Sequence, residues 1–409
     1  MRITIVYRYF HPDTPPYAAM LAQMTRWFAE AGHDVEVITA QPSYKPEVVL
    51  PRQPWSEERG GVRIRRLPVL PENRRRWIWA INSAVFVAMA SAMILFGRRR
   101  DLLWTATMPP VFQAALIELT GRVRGAGFVY HMLDIHPELG IVAKVIRPGL
   151  LTRMMRWLDV RTINRAAAVV VLSADMEHAI EMRGARPRRL EVINNFSLQV
   201  CDHARTGRST VQSPGAGSHE EPPSPIRFVF AGNIGEFQNL EALVAAFSGT
   251  AAGGAVLELV GDGRARTGLE AVVRAGGTGN VRFHRHMPIE EAFEFIRACD
   301  IGVVSLVPGI YRFAFPSKIL TYLAAGLPIL AMVEPDSEMA RMLTEKGLGR
   351  AVGWDGAPDR IAGVIADMVA AARSGRPAPV PPPELFHPDG ARARWLDLLA
   401  DLESEQKWA

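Results

Sequence analysis

Apolar residues dominate Ile3–Tyr9, and from Ala18 to Ala31 they return every three or four positions. The first pattern predicts a buried strand and the second an amphipathic helix. Gly32 stops that helix and Asp34–Thr39 reads as the next strand, which gives the βαβ opening of an open parallel sheet. Further strands are predicted at Val62–Leu67, Leu102–Ala106, Gly127–Met132, Ala168–Leu172 and Arg189–Ile193, with helices between them. Residues 1–195 therefore read as one doubly wound domain. Residues 196–225 change character: Gly207–Pro225 is rich in Ser, Pro, Gly and Glu, shows no apolar period, and reads as a linker. A second α/β series occupies residues 226–385. Its strands are predicted at Ile226–Ala231, Val256–Val260, Val281–Phe283, Ile301–Ser305 and Ile329–Val333, its helices at about 240–248, 267–275, 289–298 and 317–325. Pro377–Pro383 breaks the pattern, and a last amphipathic helix, about Pro388–Glu405, fills residues 386–409.

One segment fits neither sheet pattern. Trp77–Gly97 is almost wholly apolar and would be roughly 31 Å long as a helix, enough to cross a bilayer. Arg74, Arg75 and Arg76 precede it, and Arg98, Arg99 and Arg100 follow it. A span would place one arginine triplet on each side, although arginines mark the cytoplasmic side. It would also separate early and late strands of one sheet. The expectation is a helix lying in the membrane interface with its arginines on anionic headgroups. A helix buried between the sheet and an outer layer is the alternative.

Length and composition narrow the class. The chain has 409 residues, 48% of them hydrophobic and 22% charged, as expected of two soluble domains. Its net charge is +5 and its pI about 9.4, which favours anionic partners. Cys201 and Cys299 form neither a CxxC pair nor a disulfide framework, so a reducing cytoplasm is expected. Met1–Val6 is too short an apolar run for a secretory leader. No G-x-G-x-x-G follows the first strand, which argues against a nicotinamide-dependent oxidoreductase. The basic residues flank an apolar segment rather than alternating with stacking aromatics, which argues against nucleic-acid binding.

The candidate chemistry centres on Gly232-Asn-Ile-Gly-Glu-Phe-Gln-Asn239, between the strand Ile226–Ala231 and the helix that begins at Leu240. A strand, a glycine-bearing turn and a helix start can cradle a phosphate: glycine permits close backbone approach, and the helix start offers unpaired N–H groups. Two other stretches stand at comparable places. Asp134-Ile-His-Pro-Glu138 follows a strand, and Pro316-Ser-Lys318 precedes Tyr322-Leu-Ala-Ala-Gly-Leu-Pro328.

Together these three segments, in this order and spacing, resemble the D-[LI]-x-P-E, A-G-N-[IL]-G and P-[ST]-K…Y-x-A-[AC]-G-x-P segments of bacterial family-4 glycosyltransferases, most closely the type that builds surface polysaccharides and O-antigens. The resemblance implies an α/β GT-B fold, two Rossmann-like domains with parallel sheets facing across a cleft. The N-terminal domain would take the acceptor, the C-terminal domain a nucleotide-sugar, and the last helix would cross back to the first domain. It implies a transfer that retains anomeric configuration and needs no metal or other cofactor, the nucleotide-sugar being a substrate and expected to be UDP-linked. The partners implied are that donor, a lipid-linked (polyprenyl-diphosphate) glycan and an anionic membrane surface, with no nucleic acid. The place implied is the cytoplasm, against the inner face of the plasma membrane.

Residue by residue, Lys318 is the expected cation for the leaving diphosphate, a charge that must be neutralised. No Asp-x-Asp occurs in the chain, so the usual sequence signature of a divalent-ion route is missing. Gly232, Asn233, Gly235 and Gln238 are expected to line the donor, with Gly261 and Asp262 after one strand, Arg285 after another, and Pro316, Ser317 and Thr321 around the lysine. Asp134, His136 and Glu138 are the expected catalytic-side group, His136 as a carrier of protons near neutral pH. Asp13, in the first βα loop, and the arginines 74–76 and 98–100 are expected on the acceptor and membrane side. Two glutamates of the family pattern are replaced by Phe313 and Thr321, which keeps a second reading open: a catalytically degenerate, membrane-associated binding or scaffold protein of the same fold.

Overall fold

A computed structural model describes residues 1–13, 15–43, 50–70, 76–198, 224–248, 254–277, 279–354, 358–375 and 386–405. Its contacts divide the chain into two units, Met1–Leu198 with Arg312–Phe315 and Glu384–Ala409, and Gln199–Tyr311 with Pro316–Pro383.

The first unit is built on an eight-stranded sheet of order β3-β4-β2-β1-β5-β6-β7-β8. The strands are β1 (Arg2–Val6), β2 (Asp34–Ala40), β3 (Ser56–Arg59), β4 (Val62–Leu67), β5 (Leu102–Ala106), β6 (Gly127–His131), β7 (Ala168–Val171) and β8 (Leu190–Val192). All pairings are parallel except the edge hairpin of β3 with β4. The central strands are apolar because helices cover both faces of a parallel sheet. Strand β3 had no signal in the apolar pattern: Ser-Glu-Glu-Arg is polar and is held by backbone pairing at the sheet edge. The helices are α1 (Pro16–Glu30), α2 (Arg76–Phe96), α3 (Phe112–Val123), α4 (Glu138–Val142), α5 (Leu150–Ile163) and α6 (Ala174–Met182).

The second unit carries a six-stranded parallel sheet of order β11-β10-β9-β12-β13-β14. These are β9 (Ile226–Ala231), β10 (Ala255–Val260), β11 (Val281–His284), β12 (Ile301–Ser305), β13 (Ile329–Met332) and β14 (Gly349–Val352). Its helices are α7 (Leu240–Ser248), α8 (Arg266–Gly276), α9 (Ile289–Arg297), α10 (Lys318–Ala324), α11 (Glu338–Glu345) and α12 (Pro358–Arg373). The chain leaves β9 in one direction, through β10 to β11, and returns to β12 on the other side. That reversal makes the C-terminal ends of β9 and β12 the ligand-binding edge of an open α/β sheet.

The last helix, α13 (Pro388–Ser404), belongs to the first unit. Ala391, Trp395, Leu398, Leu399 and Leu402 are buried in the same core as Ile3, Ile5, Trp104 and Val129. The Trp395 ring lies 4.9 Å from both Trp104 and His131, centroid to centroid. Ion pairs from Arg189 to Asp401 and from Arg392 to Glu30 accompany this packing, but they are exposed and add little.

Helix α2 is neither a buried core helix nor a free one. Phe86, Val87, Ala90 and Ile94 are buried, Asn82 bonds the backbone of Leu70, and Ser83 accepts from Arg8 at 2.6 Å. Its other side, from Trp77 through Ile81 and Val85 to Phe96, is apolar and exposed. Arg98 and Arg99 are exposed. Arg100 corrects the expectation that it faces a membrane: it is buried, with Nη2 2.9 Å from Glu36 Oε2 and Nε donating to Thr4 Oγ1. With Arg65, whose Nε stands 2.9 Å from Glu36 Oε1, it neutralises the buried carboxylate of Glu36, and exposing Arg100 would strip one of that group's two cations. Arg74 and Arg75 lie outside the described residues, as do Cys201, Gly207–Pro223 of the expected linker and Pro377–Pro383. Arg76 is the first residue of α2, and its side chain is also outside the description. Cys299 is buried, and its thiol donates to the Phe295 carbonyl at 3.3 Å.

Trp395→Ala is expected to cost the first unit about 3–5 kcal/mol, the range for emptying a buried tryptophan site. Urea denaturation followed by near-ultraviolet circular dichroism reads this, and a loss below about 1 kcal/mol would contradict the packing described.

Candidate active site

The loops after β9 and β10 in the second unit are fastened to each other by glycines. Gly232, at φ +131°, donates its N–H to the carbonyl of Val260 at 2.9 Å. At Gly261, φ +136°, a Cβ would sit 2.0 Å from the Gly232 carbonyl oxygen, so no side chain fits there. Gly263 comes equally close to the backbone of Ile234, whose own N–H bonds the Asp262 carbonyl at 2.9 Å. The turn is thereby a rigid ledge rather than an open loop. This changes the expected roles. The Gly232 amide is spent on Val260, and the Gly235 amide on Gln238 Oε1 at 3.2 Å. Of the three amides expected to meet a ligand, the Asn233 N–H is the one with no partner among the described residues, and Asn233 is exposed. Gln238 is held as part of the ledge, its carbonyl accepting from Ser305 Oγ on β12.

Lys318 lies against this ledge. Its Nζ stands 4.7 Å from the centroid of the Phe230 ring, and a Cβ on Gly232 would meet its Cε at 2.8 Å. Glycine at 232 is therefore what leaves room for the lysine. Among the described residues no carboxylate or hydrogen-bond acceptor pairs with the ammonium. The side chain keeps some exposed surface, yet the packing around it desolvates the charge and pushes its pKa down from 10.5 to about 8. A half-desolvated cation that faces an aromatic ring and has no counter-ion among the described residues is poised to accept an anion. Pro316 and Ser317 lead into α10 directly before it, with no side-chain cap at Ser317. Thr321 is half-buried one turn further on. Helix α10 has seven residues, so its dipole adds little to the field of the lysine itself.

Two partners of the ledge were not among the expected site residues, although Tyr322 opens one of the quoted motifs. The buried Tyr322 hydroxyl accepts the Ala231 N–H at 2.9 Å and fixes the end of β9; Gly302 gives its ring room. Arg266 bonds the carbonyls of Gly261 and His284 and so ties the β10 and β11 loops together. Arg285, next along, is exposed beside them. Asp262 is exposed too, and its carboxylate accepts the N–H of Gly263.

In the first unit, Asp134 follows β6 and pairs as an isolated antiparallel bridge with Ala314, while the Ile135 N–H bonds the Phe313 carbonyl at 2.8 Å. Burial pushes the Asp134 carboxyl up to about 6, and among the described residues nothing pairs with it. His136 departs from its expected role as a proton carrier near neutrality. Burial, then the charge of Arg183, hold it down to about 4 against the opposing pull of Glu138, so its ring is neutral at pH 7. Glu138 is engaged: Arg183 grips both its oxygens, Arg183 also reaches Asp159 at 2.6 Å, and Tyr130 donates to Asp159 at 3.1 Å. This network braces the turn, and its bonds join residues 24 to 45 positions apart, too far for sequence spacing to reveal. Asp13 is buried and accepts the Ser43 N–H at 3.1 Å, fixing the first βα loop. Among the described residues no group of three or more His, Cys, Asp or Glu side chains converges as metal ligands would.

Comparison with known proteins agrees with this arrangement. Residues 17–195 match the family model "Glycosyl transferase 4-like domain", and residues 225–369 match "Glycosyl transferases group 1". The chain is 28% identical to "Probable glycosyltransferase WbjE" of Pseudomonas aeruginosa over 74% of its own length and 72% of that protein's. It is 22% identical to "Putative colanic acid biosynthesis glycosyl transferase WcaI" of Escherichia coli K12 over 84% and 86% of the two chains. Among solved structures it is similar to sucrose-phosphate synthase of Thermosynechococcus elongatus, TM-score 0.72 at 17% identity, covering 99% of each chain. Anabaena HepE, solved in complex with UDP, gives 0.62 at 14% identity, covering 98% of this chain and 100% of its own. At these identities the structural likeness speaks for the fold, two parallel-sheet domains of the GT-B type.

The desolvation of Asp134 gives a stability test with a definite sign. Its carboxyl is raised in the folded state from 3.8 to about 6, so folding favours the protonated form and this group's contribution falls as pH climbs through that interval. Asp134→Asn removes the buried charge. At pH 8 it is expected to be more stable than the parent by about 1–2 kcal/mol, less than the full shift would give because some exposure remains, and near pH 4 the advantage should vanish. Urea titrations at both pH values decide; an equal difference at both would contradict the burial argument.

Proposed function

The chain belongs to the family-4 glycosyltransferases, and on that footing we propose that it moves a sugar from a UDP-linked donor to a lipid-linked glycan, a saccharide on a polyprenyl diphosphate, in surface-polysaccharide synthesis at the cytoplasmic face of the plasma membrane. The observation that carries the donor half is the ammonium of Lys318, unpaired among the described residues and laid along the Gly232 ledge at the ligand-binding edge of the second sheet. Support for the nucleotide comes from HepE, whose structure holds UDP, and support for the pathway class from WcaI, named for colanic acid biosynthesis.

In the proposed reaction the bond between the sugar's anomeric carbon and the diphosphate oxygen breaks, and the acceptor hydroxyl bonds that carbon on the same face. The hydroxyl's proton leaves with the diphosphate. Negative charge grows on the leaving group, and Lys318 with the Asn233 N–H meets it. The bound diphosphate in turn favours the protonated form of the lysine. Asp134, ionised at pH 7 by its value of about 6, orients the acceptor hydroxyl, while neutral His136 offers a hydrogen bond rather than a proton reservoir. Arg285 and Asp262, exposed at the ends of β11 and β10, are assigned to the nucleoside end of the donor. The charge neutralisation proposed uses no divalent ion, so a chelator is expected to leave turnover unchanged.

The test is nucleotide release from a panel of UDP-, GDP- and dTDP-sugars in the presence of a membrane extract. Lys318→Ala is expected to remain folded and to lose turnover by about 10²–10³-fold, the usual effect of removing a charge-stabilising donor. Equal release by parent and variant would overturn the assignment of Lys318, and a requirement for added metal would overturn the metal-free route.

A further inference from the structure

Helices α2, α3 and α5 form one layer on the sheet of the first unit: α3 packs against α2 on one side and against α5 on the other. Outer faces of such layers are normally polar. Here each helix shows an apolar stripe to solvent. On α2 it runs through Trp77, Ile81, Val85 and Phe96, and on α3 through Phe112, Leu116, Leu119 and Val123. On α5 it comprises Leu150, Met154 and Trp157, with Leu151 beside them; Leu150 is 83% exposed and Trp157 61%. The spacings of three, four and eleven residues keep each stripe on one side of its helix. Of 19 large apolar residues exposed on the described chain, 13 lie on this layer or on the loop leading into α5. Exposed apolar surface gathered in this way marks an interaction site.

Charge identifies the partner. The helical stretch Trp77–Phe96 contains no charged residue. The single acid of α3, Glu118, and the single acid of α5, Asp159, are both buried. The exposed charges around the stripes are cations: Arg98 and Arg99 after α2, Arg122 and Arg124 at the end of α3, Arg153 and Arg161 on α5. Arg161 also stacks on Trp157, its guanidinium carbon 5.6 Å from the ring centroid. A second copy of the chain would bring these arginines against their own kind, which disfavours self-association. A broad apolar face, rimmed by arginines and carrying tryptophans at its edge, matches an anionic bilayer surface. Crossing the bilayer is a different matter, because the inner side of α2 is packed on β4 and α3 and bonded to Arg8.

We propose that the outer face of the α2–α3–α5 layer is a docking surface for anionic phospholipid, with α5 as an anchor equal to α2. It deepens the proposed function by naming the surface on which a lipid-linked acceptor is met, but its test does not depend on turnover. Flotation is measured with vesicles of phosphatidylcholine alone and with 30% phosphatidylglycerol, at 50 and 500 mM salt. The protein is expected to float with the anionic vesicles at low salt and to lose at least tenfold in bound fraction either without phosphatidylglycerol or at high salt. Leu150→Glu and Trp157→Glu alter exposed positions and leave the core intact, so their thermal unfolding should match the parent. Each is expected to reduce binding at least tenfold, and Arg153→Glu to weaken the salt dependence. Binding lost through Phe96→Glu but retained by both α5 variants would overturn the three-helix face and leave α2 alone as the contact. Binding indifferent to lipid charge, or a concentration-dependent dimer that never floats, would overturn the lipid assignment. A thermal shift on adding UDP, run on the same variants, keeps the two readings apart: the shift tests the donor site, and flotation tests only this face.

Discussion

Everything proposed for the donor depends on how closely two peptide segments approach each other in the second unit. The loops after β9 and β10 touch backbone to backbone at Gly232 and Gly261, at a distance that excludes any side chain. With no side chain on Gly232, the Lys318 side chain packs against it and its ammonium stands 4.7 Å from the Phe230 ring centroid. The lysine then keeps its charge at a cost, with desolvation unopposed by any counter-ion in the described structure. A group in that state stabilises the fold poorly and an arriving diphosphate well. The chain has five lysines among 47 basic residues, so arginine is its usual cation. An arginine would stay fully charged and would demand a planar set of acceptors; a lysine has a pKa that its surroundings can set.

The first unit shows the same division between support and chemistry. The Asp134 carboxylate has no partner among the described residues, whereas Glu138, four residues on in the same turn, is tied into Arg183, Asp159 and Tyr130. A buried network of this kind contributes little net stability, but breaking it by removing one partner is costly, so it fixes the geometry of the turn. The helix α13 does comparable work on a larger scale by inserting Trp395 against Trp104 and His131. His131 is thereby held neutral, its pKa pushed down to about 3 by burial, and serves as packing rather than chemistry.

Much of the architecture was legible in the chain. The central parallel strands of both sheets could be read because they are buried on both faces and so are largely apolar, as in Ala168–Val171 and Ile329–Met332. The polar edge strand β3 and the short β14 could not, because backbone pairing rather than side-chain pattern holds them. The site was legible where chemistry and local sequence coincide: the glycines 232, 261 and 263 and Lys318 lie in recognisable turns. It was not legible where contacts are distant. No spacing rule links Arg266 to His284, or Glu138 to Arg183, and nothing in Arg98-Arg-Arg100 distinguishes the exposed pair from the buried third. Likewise, α2 announced itself by length and composition, whereas the stripes on α3 and α5 matter only because folding sets them beside it.

The state of Lys318 is open to direct measurement. With so few lysines, competitive acylation across pH, read by mass spectrometry, gives the titration of this one amine. In the free protein its midpoint is expected near 8, moving upward when UDP is saturating, because the bound diphosphate stabilises the ammonium. A midpoint at the ordinary value of 10.5 in the free protein, unmoved by UDP, would contradict the account at its root.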